Sequence, residues 1–126
     1  MNGARSSPEN IMQAAAILFG LAALGGLVMA FIRWSGAPRP PDWLAMGHGL
    51  LAAAALTLLI HAAVSTGIPT LAQLSLGLFV VAALGGALIN LRFHAKQLAL
   101  PKTWIIGHAL LAVVAYGLLL LALFGS

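Results

Sequence analysis

The sequence predicts an all-α membrane protein: a bundle of four transmembrane helices built from two tandem, parallel helical hairpins with a sixty-residue period. Three observations predict it. Of 126 residues, 62% are hydrophobic and only 6% charged, with a mean hydropathy of +1.06, where a soluble domain carries about a quarter charged residues. The six basic and two acidic residues fall at or beyond the ends of four long apolar runs, an arrangement that suits a bilayer and not water. The second half of the chain also repeats the first.

A short N-terminal tail, residues 1–10, precedes the first span, about 11–32. The stretch "SSPEN" makes a helix start, with an acid near the positive end of the helix dipole. Arg33 ends this span, and "SGAPRPP" breaks the chain because consecutive prolines cannot continue a helix. The second span, about 43–64, closes at "STGIP"; the third, about 71–93, ends in "RFHAKQ"; the fourth, about 104–124, starts after Pro101 and stops at Gly125. Each has about 20 residues, enough for about 30 Å of hydrocarbon. The first is read as a retained span, since its apolar core exceeds the roughly 7–15 residues of a signal peptide and its basic flank lies downstream.

Charge sets orientation. The loops after helices one and three carry Arg33, Arg39, Arg92, Lys96 and Lys102 against the single acid Asp42, whereas the other side has Arg5, Glu9 and an uncharged loop. The positive-inside rule then places both basic loops in the cytoplasm and both termini outside a cytoplasmic (inner) membrane. The pI near 10.9 belongs to this pattern, and nucleic acid is not an expected partner.

Overlaying residues 13–66 on 73–126 without gaps matches Gln13 with Gln73, Leu18-Phe19 with Leu78-Phe79, "AALGG" at 22–26 with 82–86, Pro41 with Pro101, and Gly47-His48 with Gly107-His108. In all, 18 of the 54 positions are identical, against roughly seven expected by chance in so Ala- and Leu-rich a chain. Residues 11–66 and 71–126 are therefore read as two copies of one hairpin, related by an axis along the membrane normal. His48 and His108 then lie at equal depth on helices two and four, roughly 10 Å inside the cytoplasmic helix ends at 1.5 Å per residue. The AALGG glycines are expected at a close contact between helices one and three.

A buried imidazole in lipid needs a partner. Two at equal depth across an axis would supply both axial ligands of a haem iron, so His48 and His108 are the candidate ligands of one haem b. Ala52, Ala55, Ala112 and Ala115, with Gly47, Gly49 and Gly107, are small residues beside them that would leave room for a porphyrin. Arg33, Arg92, Lys96 and Lys102 are candidate propionate contacts. The main alternative is that the two histidines are interhelical hydrogen-bond glue, copied with the hairpin; a quinone, lipid or transport site is the third. His61, thirteen residues after His48, meets Leu121 in the overlay and so has no mate for a second haem. His94, in the basic loop, is read as solvated or interfacial, with a substitute ligand role open to it.

Absences narrow the function. With no cysteine there is no disulfide and no thiolate ligand. The only acids, Glu9 and Asp42, sit at membrane boundaries, leaving none for proton or sodium coupling, an ordinary zinc site or a Ser-His-Asp arrangement. A stand-alone enzyme is not expected. The basic loop, proline and His-containing Leu-rich helix over residues 84–124 resemble those of small bacterial four-helix membrane proteins, a likeness that implies a fold and no activity. The placement of the histidines is similar to that in the b-type cytochromes of respiratory membranes, which implies haem and electron transfer. Two functions follow as expectations: a b-type haem electron-transfer or membrane-anchor subunit, served by a quinol or a soluble redox partner, or a cofactor-free accessory subunit that associates with a larger membrane complex or with itself.

Overall fold

A computed structural model describes residues 7–125, so Arg5 and most of the expected tail lie outside the described residues. Four helices follow in order: α1 (Ser7–Trp34), α2 (Asp42–Ser65), α3 (Thr70–Ile89) and α4 (Lys102–Phe124), with a five-residue π-helical turn, Asn90–His94, prolonging α3. All four are long and apolar enough to cross a membrane. The helix of the first span begins at Ser7, not near residue 11, because the polar start residues are themselves helical. α2 exceeds its expected span by one residue at each end and α4 starts two residues early, whereas α3 proper stops at Ile89, four residues short of the expected end, and continues as the π-helical turn. Pro41, Pro69 and Pro101 immediately precede α2, α3 and α4, where a fixed φ and a missing N–H cost nothing. Two turns use φ values that favour glycine, at Gly36 (+117°) and Gly67 (+81°).

The helices form an up-down-up-down ring. α1 lies along α2 and α3 along α4, while α1–α4 and α2–α3 close the ring. The diagonals meet only through side chains. Phe19 of α1 and Phe79 of α3 stack face to face, centroids 3.7 Å apart and 2° from parallel. Beside them Ala55 and Leu59 of α2 and Ala115 and Leu119 of α4 are fully buried. Each of these pairs is sixty residues apart. The core mixes large side chains with alanines that let backbones approach closely, and it occupies the half of the bundle nearest the termini.

Two polar contacts break the pairing. Ser75 Oγ donates to Ala115 O at 2.7 Å, and Tyr116 Oη donates to Ala16 O at 2.9 Å. Their positions in the other hairpin are held by Ala15 and Leu56, which have no such group. Tyr116 Oη also lies 2.8 Å from where a Cβ on Gly20 would stand, so a side chain there would displace the tyrosine hydroxyl.

At the opposite, basic end the two loops are laced together. Arg33 Nε donates to Leu100 O at 2.9 Å, Arg39 Nη1 to Gln97 O at 3.0 Å, and Leu100 N to Pro38 O at 3.0 Å. His94 Nε2 bonds Pro40 O at 2.8 Å, with Asp42 Oδ1 3.6 Å away. The reading of His94 as solvated is therefore corrected: it is buried. The π-helical turn ends at His94, whose ring is spent on the neighbouring loop.

Candidate functional site: the His48–His108 pair

His48 and His108 each stand six residues into their helices, α2 and α4, about 9 Å from the first residue at 1.5 Å rise per residue. Each is half-buried. His48 Nδ1 bonds Ala22 O at 2.7 Å, and His108 Nδ1 bonds Ala82 O at 2.8 Å. Both contacts join the two helices of one hairpin, and both span 26 residues of chain.

The carbonyls dictate the tautomer. A carbonyl oxygen only accepts, so Nδ1 carries the hydrogen and donates it. The lone pair of each neutral ring then resides on Nε2, which has no hydrogen-bond partner among the described residues. This is the usual arrangement of a metal-bound histidine, with one nitrogen anchored and the other left to ligate. The same anchoring bond is also what interhelical glue requires.

The ring centres are 6.2 Å apart and the planes 79° to one another. Two imidazoles on opposite sides of one metal have metal–nitrogen bonds of about 2 Å. Ring centres 6.2 Å apart at a steep angle are also what an ordinary edge-to-face contact gives, so the separation admits a shared metal without requiring one. Among the described residues no group of three His, Cys, Asp or Glu could hold a metal. A bare zinc ion would lack ligands here.

The AALGG segments enter the site directly, which corrects the expectation of an α1–α3 glycine contact. No close backbone approach joins α1 to α3. Instead, the second glycine of each segment faces the imidazole of its own hairpin. A Cβ on Gly26 would lie 3.1 Å from His48 Cε1, and one on Gly86 would lie 2.9 Å from His108 Cε1. Gly26 and Gly86 sit one turn after Ala22 and Ala82, on the same helix face, so each lack of a side chain opens the carbonyl behind it. One signal for this was in the sequence: the step from glycine to histidine is 22 residues in both halves.

The remaining candidates separate. Ala55 and Ala115 belong to the packed core, while Ala52 and Ala112 are half-buried one turn beyond the histidines. Gly47, Gly49 and Gly107 face open space. Of the proposed propionate contacts, Arg33 is half-buried and engaged with Leu100 O, Lys102 Nζ lies 5.4 Å above the Trp34 ring, and Arg92 and Lys96 are exposed. None is hydrogen-bonded to the imidazoles. His61 is exposed near the far end of α2.

Compared with protein-family models, curated proteins and solved structures, the chain matches none. Its function has to be argued from the site.

Proposed function

We propose that the protein is a small membrane-embedded electron-transfer subunit carrying one haem b, with His48 and His108 as its axial ligands. The observation that carries this reading is the pairing of a 6.2 Å ring separation with Nδ1 anchoring that leaves both Nε2 lone pairs unused. A haem with both axial positions filled by imidazole supplies a one-electron couple and leaves no open coordination site for a substrate. With no cysteine in the chain, attachment is non-covalent. Ala22 O and Ala82 O orient the ligands, and Gly26 and Gly86 make room for them. Arg33 and Arg39 are the half-buried cations of the basic end, and Arg33, bonded to Leu100 O, is the one of them in the candidate propionate set.

In this reading the chain is two copies of one hairpin around an axis along the membrane normal. Its basic loops face the cytoplasm and its termini face outward. The equivalent hydrogen bonds of His48 and His108 and the Phe19–Phe79 stack support the duplication. The apolar outer faces of all four helices, with Leu24, Phe31, Met46, Leu50, Leu84 and Leu110 exposed, support the bilayer. Its electrons come from a quinol or a soluble redox protein, or the chain serves a larger membrane complex. A second reading is favoured by a specific observation: both imidazoles already bridge two helices, which suits a cofactor-free accessory subunit.

The test is the dithionite-reduced minus oxidised spectrum of protein purified in mild detergent from cells supplied with haem precursor. A sharp α-band and a red-shifted Soret are expected. A folded, colourless preparation that also refuses haemin leaves the accessory reading.

A further inference from the structure

The basic end carries more cation than its own carboxylates can balance. Arg33, Arg39, Arg92, Lys96 and Lys102 gather there with one acid, Asp42, which lies beside His94. All three tryptophans, Trp34, Trp43 and Trp104, are at this end and exposed, as in the aromatic belt at a membrane–water interface. On one side of this end, α1 and α4 leave a shallow, open depression with a wholly apolar lining: Ala30, Phe31, Trp34, Ile105, Ile106 and Ala109. At the first residue of α4, Lys102 lays its ammonium over Trp34, one side of the depression, with no carboxylate paired to it among the described residues.

An apolar depression with a cation at its interfacial end matches an amphiphile with a negative head. We infer that the α1–α4 depression binds one anionic phospholipid, an acyl chain lying along Ala30, Ile106 and Ala109 and the phosphate on Lys102. This rests on the membrane reading above and is independent of haem. Topology alone would explain the positive loops, but it has no need of an apolar depression beneath one of the lysines. Lys102 is thereby moved from the set of propionate contacts to the lipid.

The experiment is native mass spectrometry of the protein released from nanodiscs of equal phosphatidylglycerol and phosphatidylcholine. One retained lipid is expected, enriched in phosphatidylglycerol by about fivefold, the factor that one interfacial cation contributes. Lys102→Gln should bring the ratio to parity, and Ala109→Trp should remove the retained lipid of either kind. Equal retention by the natural chain, or an unchanged ratio in Lys102→Gln, overturns the proposal. So does a Lys102→Gln chain that keeps its lipid but loses haem, which returns the lysine to a propionate. Lys102 is exposed, so its replacement does not threaten folding, and a matching detergent melting temperature checks this. Carbonate extraction of the natural chain tests the membrane reading separately: a chain washed off the membrane fails there, before any lipid is weighed.

Discussion

The hydrogen on Nδ1 decides what His48 and His108 can offer. Anchored to Ala22 O and Ala82 O, each ring presents Nε2 as a base and not as a donor. His48→Ala and His108→Ala are each expected to abolish the low-spin haem spectrum, since one imidazole leaves iron with an open axial position. Gly26→Ala and Gly86→Ala press a methyl against Cε1 at 3.1 and 2.9 Å, so the ring must shift or its carbonyl bond stretch. Disturbing such a supporting contact costs about 10–100-fold in metal-centre affinity, to be read from haemin titrations. Glycine-to-alanine changes at Gly47 and Gly107, where nothing lies within 4 Å, should leave haemin affinity unaltered. The 79° between the rings has its own signature. Near-perpendicular imidazole planes leave the two π-type orbitals of ferric iron close in energy, so electron paramagnetic resonance should show a strongly anisotropic low-spin signal. A rhombic signal would mean that the rings turn parallel on binding.

At the scale of elements, each end of the bundle is held differently. The end near the termini relies on close apolar contact around Phe19 and Phe79, with the Ser75 and Tyr116 hydroxyls bonded between helices, and the basic end on hydrogen bonds from side chains to the backbone of the other loop. His94→Leu would strand Pro40 O and remove a buried partner, a loss of about 1–3 kcal/mol. A fall of several degrees in the detergent melting temperature is expected, with the haem spectrum retained. This contrast separates a structural histidine from a ligand. Much of this level was legible beforehand: four spans, their breaks at proline, and the hairpin pairing all follow from apolar run length and turn chemistry. What escaped has a physical cause. The helices are apolar on nearly every face, so no polar stripe shows which side turns inward. The partner of the AALGG glycines was therefore invisible, although their fixed distance from histidine was not. His94 lies among charged residues and looked solvated because the lacing of two loops is tertiary.

For the whole molecule, the natural chain contains no cysteine, so single cysteines report topology without background. Ser35→Cys marks the basic end and Ser65→Cys the α2–α3 turn, both at exposed positions. A membrane-impermeant maleimide added to spheroplasts should label Ser65→Cys at once and Ser35→Cys only after the membrane is opened. The reverse pattern would invert the orientation, and labelling of both would deny a spanning bundle. The four helices of membrane-spanning length and the histidine pair could be reached from sequence because an apolar chain tolerates few polar groups, and those it keeps stand out. Ser75 and Tyr116, which tie α3 to α4 and α4 to α1, did not stand out, since isolated hydroxyls in such helices have no spacing to mark them. The central claim remains the pair of imidazoles on one iron, and the most direct measurement is a haemin titration of the haem-free protein in detergent. The account predicts a break at about one haem per chain, with both axial positions low-spin, and no such species in His48→Ala or His108→Ala. Uptake of haemin that is undiminished in the double variant, or no uptake by the folded natural chain, would contradict it.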